Sequence, residues 1–149
     1  MVEMSNTILF ICTGNYYRSR YAEIYFTHLA SKMRLDWKAD SRGLEASEGR
    51  NVGPISIFAL KRLADQGLTF NEPFRFPMQL EEKDLQTAGL IVAIHRVEHQ
   101  PMMEKQFPAW AEKVVYWDVA DLDVIDSENA LSAIEGKIHA LMEDVRFSP

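Results

Sequence analysis

Apolar residues fall along this chain in two rhythms, short unbroken runs and stripes spaced three and four apart, and the two alternate. "TILFIC" (Thr7 to Cys12) is β-branched and aromatic and is followed by Gly14 and Asn15, which predicts a buried strand. Ala22, Tyr25, Phe26, Leu29 and Met33 then mark one face of an amphipathic helix. Trp37 to Gly43 predicts a second strand, ending in Gly43. Pro54 suits the first turn of a helix that carries Ile57, Phe58, Leu60 and Leu63 and closes at Gly67. "GLIVAI" (Gly89 to Ile94) is continuously apolar, as expected of a strand covered on both faces. A helix over Val97 to Gln106 precedes Pro108, and Lys113 to Asp118 is the fourth strand candidate. Leu131, Ile134, Ile138, Leu141, Met142 and Val145 stripe a terminal helix, while Asn71 to Asp84 reads as the longest surface connection.

Strands alternating with helices predict the α/β class: an open parallel four-stranded sheet with helices on both faces. At 149 residues the chain suits a single domain over 1–149. Ligands of such sheets bind at the carboxyl ends of the strands, and Cys12 stands at one of them. The composition, 47% hydrophobic and 26% charged, is that of an ordinary globular protein. A net charge of −6 argues against broad binding to nucleic acid. "MVEMSNT" lacks the basic start and apolar stretch of a signal peptide, and no apolar run is long enough to span a bilayer. These features predict a cytoplasmic protein with neither nucleic acid nor membrane as partner. The one cysteine cannot form an intrachain disulfide or a multi-thiolate zinc site, so Cys12 is a buried small hydrophobe, a single metal ligand or a reactive thiol.

The chemistry gathers where the first strand breaks. From Cys12, Arg18 lies six residues on and Ser19 seven, a C-x5-R-S spacing between a strand and a helix. A loop of this length can curl so that backbone N–H groups converge on an anion, joined by those of the helix N-terminus. Gly14 and Asn15 tolerate the left-handed backbone such a curl can require. Arg18 adds a planar fork matched to two phosphate oxygens. The same positive potential favours a thiolate on Cys12. Ser19 can donate a hydrogen bond to the sulfur and ease its departure. Against this stands the bland reading of a core cysteine with Arg18 and Arg20 solvated.

"CTGNYYRS" resembles the signature loop of the low-molecular-weight protein tyrosine phosphatase family, which includes arsenate reductases and protein arginine phosphatases. "ADSRG", "RNVGP" and "YWDVADLD" resemble further segments of that family, in the same order along nearly the whole chain. The resemblance implies that Cys12 attacks phosphorus to form a phosphocysteine while Arg18 and the loop (Thr13, Gly14, Asn15, Tyr16, Tyr17) hold the phosphoryl oxygens. It implies an aspartic acid that protonates the leaving oxygen and then activates water. Asp121 matches that position, although Leu122 stands where the family usually has proline and Asp118, Asp123 and Asp126 crowd the stretch. Asn15 and Ser41 match positions that brace the loop; a water-facing serine is the alternative for Ser41. Neither a metal nor a cofactor is implied.

The chain also departs from the family. Tyr17 stands where many members carry a second loop cysteine, and further cysteines needed for thioredoxin-coupled arsenate reduction are lacking. Arg50 and the aliphatic run around Leu122 replace aromatics of the eukaryotic enzymes, so Tyr16 and Tyr17 are candidates for the aromatic wall, with packing against a neighbouring helix as the alternative. Arg20 replaces a proline and, with Arg50, either makes the rim basic and favours acidic peptides or sits in water. His28, His95 and His99 are read as structural or surface residues. The leading expectation is hydrolysis of phosphotyrosine in proteins, or of small aryl phosphates, with phosphate as product. The competing expectations are protein arginine phosphatase and a phosphate-binding regulatory module with weak or lost turnover.

Overall fold

The computed structural model describes residues 6–46, 51–68, 74–122 and 125–146. Strands β1 (Thr7–Cys12), β2 (Lys38–Gly43), β3 (Leu90–Ala93) and β4 (Val115–Tyr116) form one sheet in the order β2-β1-β3-β4, and every pair is parallel. The unbroken apolar run of β1 follows from its central place, since its alternate residues feed two different cores. Ile8, Phe10 and Cys12 join the core beneath α1 (Arg18–Lys32), α2 (Ile57–Asp65) and α5 (Ser127–Arg146). Leu9 and Ile11 join the one beneath α3 (Glu82–Thr87) and α4 (Arg96–Gln106). The expected helices on both faces are therefore present. Among the described residues, no helix is long and apolar enough to cross a membrane.

Several expected elements shift. Helix α2 begins after Pro54: Ser56 caps it, its hydroxyl accepting from the Phe58 N–H at 3.1 Å. The buried face of α2 is set by Ala59 and Leu63, one turn apart, which leaves Ile57 and Phe58 outside the core. Met33, expected on the stripe of α1, lies at its C-terminal cap and is exposed. Strand β4 is shorter than expected because Ala111–Lys113 forms a 3-10 helix before it. The connection from Asn71 to Asp84 has its first three residues outside the described ones, and its charged tail folds into α3. A capping box of Glu81 and Asp84 starts that helix, and Leu85 anchors it in the core.

The sheet extends to opposite sides of β1, with β2 on one and β3 on the other. The crevice at the carboxyl end of β1 is the topological switch point where ligands of such sheets lie. Cys12 is the last residue of that strand.

Candidate active site

Between β1 and α1 the chain turns through a tight loop in which Asn15 takes a left-handed conformation (φ 52°). Gly14, expected to share that conformation, does not; left-handed backbone is confined to Asn15 within this loop. The room that the loop needs is supplied from β2. A Cβ on Gly43 would stand 2.7 Å from the Thr13 carbonyl and 2.9 Å from the Asn15 nitrogen, so only glycine lets the two backbones approach.

Asn15 is fully buried and its amide is satisfied on both sides. Its oxygen accepts from Arg75 Nη1 and the Met78 N–H, each at 3.0 Å. Its nitrogen donates to Ser19 Oγ at 2.9 Å and to Ser41 Oγ at 2.8 Å. Because Ser19 Oγ accepts from Asn15, its own proton is free for Cys12 Sγ, 2.9 Å away. Ser41 is buried, not water-facing, and its hydroxyl donates a hydrogen bond to Glu23 Oε1 at 2.5 Å. Burial raises the Glu23 carboxyl, working against Ser41 and Arg75, which favour its charge. Arg75, which nothing in the sequence pattern singled out, also donates to the Ser41 carbonyl at 2.9 Å and so closes the network behind the loop.

On the other side of the loop stands a second network. The Arg18 guanidinium is buried, donating to the Val119 carbonyl and to Glu98 Oε2, both at 2.9 Å, with Asp121 Oδ2 at 3.5 Å. Thr13 Oγ1 donates to the same Glu98 oxygen. His99 is fully buried, and its Nδ1 accepts the His95 N–H at 3.0 Å, which leaves the proton on Nε2. That Nε2 faces Glu98 Oε2 and Thr13 Oγ1, each at 3.1 Å. Burial opposes the Glu98 charge, but bonds from His99 and Arg18, the Arg18 charge and the Thr13 bond outweigh it and hold the carboxyl well below its usual range. Burial keeps His99 below its ordinary value despite the neighbouring carboxylate. Nothing in the sequence pattern singled out Glu98, and His99, expected to be structural or at the surface, is buried beside it; the one signal was position, just past the carboxyl end of β3.

Cys12, Thr13, Gly14, Tyr16, Tyr17, Arg18 and Asp121 line one cavity of about 390 Å³, completed by Asn51, Ser56, Ile57, Phe58 and Leu122. Among the described aspartates of the stretch, Asp121 alone lines it. Asp126 instead caps α5, accepting the Asn129 N–H at 2.9 Å, and Asp123 lies outside the described residues. Tyr16 is pinned as a wall, its hydroxyl donating to the Val52 carbonyl at 2.6 Å. Tyr17 is both wall and packing: buried, edge-on to Phe58, with burial and the Asp121 charge pushing its hydroxyl up to about 12. Arg20 neither lines a rim nor meets water. It is buried and donates to the carbonyls of Pro54 and Arg75, both at 3.0 Å. Arg50 lies outside the described residues. No group of His, Cys, Asp and Glu suited to a metal occurs among the described residues.

The family model for low molecular weight phosphotyrosine protein phosphatase matches residues 7–146. A protein-arginine-phosphatase of Bacillus subtilis (strain 168) is 29% identical over 107 residues, 72% of this chain and 67% of that protein. The low molecular weight protein-tyrosine-phosphatase PtpB of Staphylococcus haemolyticus is 36% identical over 96 residues, 64% of this chain and 62% of that protein. The solved low molecular weight protein tyrosine phosphatase of T. tengcongensis superposes with a TM-score of 0.78 at 29% identity, covering 95% of this chain and 99% of that one. With the family model spanning nearly the whole sequence and the fold shared throughout, the chain belongs to the low molecular weight phosphotyrosine protein phosphatase family, hydrolases of phosphomonoesters.

Proposed function

We propose that the protein hydrolyses phosphotyrosine in proteins by way of a phosphocysteine on Cys12. The observation that carries this reading is the convergence of the Cys12, Arg18 and Asp121 side chains on one cavity, with Ser19 buried 2.9 Å behind the sulfur. The Cys12 thiolate attacks phosphorus, an S–P bond forms, and the P–O bond to the tyrosine breaks. Asp121, entering as the acid, gives its proton to the departing phenolate oxygen. Arg18 turns its fork to the equatorial oxygens, whose charge spreads in the transition state. Water then attacks phosphorus, Asp121 takes its proton, and the S–P bond breaks to release phosphate. Ser19 stabilises the returning thiolate. Thr13, Gly14, Tyr16 and Tyr17 complete the cradle and its wall, Asn15, expected to meet substrate, braces the loop from behind instead, and neither metal nor cofactor is required. A thiol that must stay reduced suits the cytoplasm.

The aromatic walls, Tyr16, Tyr17 and Phe58, favour a flat phenolic ring over the flexible alkyl stem of phosphoarginine. Hydrolysis of phosphoarginine is the second reading, supported by similarity to the arginine phosphatase of Bacillus subtilis. The test is turnover of p-nitrophenyl phosphate, a phosphotyrosine peptide and a phosphoarginine peptide by the wild type, Cys12→Ser and Asp121→Asn. The reading expects the phosphotyrosine peptide to be preferred and Cys12→Ser to be inactive. Retained turnover in Cys12→Ser overturns the mechanism, a preference for phosphoarginine overturns the substrate, and tight phosphate binding without turnover would make the protein a binding module.

A further inference from the structure

Four large apolar side chains stand around the mouth of the cavity without being taken up by the core. Ile57, Phe58 and Leu122 line it and are 72%, 45% and 41% exposed, while Val52, whose carbonyl holds Tyr16, is 89% exposed. The same end of the sheet exposes Phe76 and Met78, on the segment bonded to Asn15 and Gly43, and Val97, in the first turn of α4. Among the described residues, the remaining exposed large apolar side chains are Met33, at the opposite end where α1 finishes, and Val115, on the edge strand β4 in register with Val92. Scattered surface apolar residues need no explanation, but a concentration around one cavity marks a binding surface. Helix α2 shows that the fold does not require it: Ala59 and Leu63 anchor the helix, and the first turn nevertheless spends Ile57 and Phe58 on the mouth.

The charges at the mouth agree. Among the described lining residues only Arg18 and Asp121 are charged, and Arg18 is buried in the cradle. With Arg18 buried there, none of the described lining residues offers a positive group at the mouth to an acidic neighbour. Arg20, which the sequence offered as a basic rim, is buried behind the loop.

We propose that this rim docks the polypeptide on either side of the phosphorylated residue, and that it selects segments with apolar neighbours over segments with acidic ones. The proposal rests on the reading that the substrate is a phosphoprotein. Its occupant follows from continuity with the cavity, because a phosphoryl group lowered to Cys12 holds the adjoining chain against Val52, Ile57, Phe58 and Leu122. The neighbouring apolar side chains covered by that surface together add about tenfold in affinity.

The test uses phosphotyrosine peptides of one length with leucine and valine, alanine, or glutamate flanks, with p-nitrophenyl phosphate as a substrate that has none. Wild-type kcat/KM and the Kd of Cys12→Ser are read for each peptide. Apolar flanks are expected to exceed acidic ones about tenfold in both readouts. Val52→Asp and Ile57→Asp should shrink that ratio severalfold relative to p-nitrophenyl phosphate turnover. Equal peptides, or a preference for acidic flanks, overturn the docking surface even if p-nitrophenyl phosphate is hydrolysed normally. Failure to hydrolyse p-nitrophenyl phosphate counts against the enzymatic reading instead, and flank preference is then read from Cys12→Ser binding alone, where its absence overturns the proposal. A dimer that Val52→Asp dissolves, with turnover rising as it dissolves, would assign the rim to a second copy of this chain and overturn it as well.

Discussion

The floor and the mouth of the cavity are built on opposite plans. At the floor the groups that brace the loop are paired: Asn15 uses both amide groups, Glu98 Oε2 gathers donors from Thr13, Arg18 and His99, and Gly43 admits the loop at backbone contact distance. At the mouth, apolar side chains stand in water, and the Tyr16 hydroxyl bond to Val52 ties the wall to the neighbouring segment. A satisfied polar network is rigid because each broken bond strands a buried partner, whereas apolar surface accepts many shapes at similar cost. The contrast teaches where precision is kept: the loop's geometry is fixed below, and adaptable apolar surface is kept above.

The contrast can be broken most severely at the floor. Cys12→Ser should abolish turnover, a fall of about a thousandfold or more, with the melting temperature nearly unchanged because the hydroxyl still fits beside Ser19. Asp121→Asn should lower kcat about a hundredfold on phosphotyrosine and less on p-nitrophenyl phosphate, whose leaving group needs a proton less. Equal losses on the two substrates would place the acid elsewhere.

Glu98→Gln keeps the shape of the brace and removes its charge. It should cost about tenfold in kcat/KM and about 2 kcal/mol in stability, since a hydrogen bond to a charged group is lost beside a buried guanidinium. Its pH dependence is fixed in sign. The Glu98 carboxyl is held below its ordinary value of 4.5, so its contribution is full above that pH and is lost as the pH falls. The difference in melting temperature between wild type and Glu98→Gln should therefore be widest above about pH 4.5 and narrow in acid. A gap constant with pH would mean that the charge does not matter. The smallest effect belongs to the mouth: Tyr16→Phe, which loses one partly exposed bond, should change kcat/KM for p-nitrophenyl phosphate by about threefold or less. A loss as large as that of Glu98→Gln would erase the distinction between floor and mouth.

What the sequence made legible followed from closeness along the chain. Cys12, Arg18 and Ser19 lie within eight consecutive residues, so their spacing alone could suggest a cradle, and the structure brings all three together. The run of β1 and the stripe of α5 were legible because each is long and periodic. Glu98, His99 and Arg75 reach the loop from sixty to eighty-six positions away, and no local spacing reports such a contact. Arg20 was misjudged because charge usually means exposure, whereas here two backbone carbonyls hold its Nη1 in the interior. Ile57 and Phe58 were misjudged for the converse reason. Helical periodicity marks an apolar stripe, but Ala59 and Leu63 had already settled which side of α2 meets the core.

The central claim is covalent catalysis by Cys12, and the most direct measurement is the mass of the enzyme quenched in acid during turnover of a phosphotyrosine peptide. Wild type, and more strongly Asp121→Asn if its second step is slowed further, should carry one added phosphoryl group on the peptide containing Cys12, absent from Cys12→Ala. Turnover without any such adduct, with an adduct on another residue, or undiminished in Cys12→Ala would contradict it.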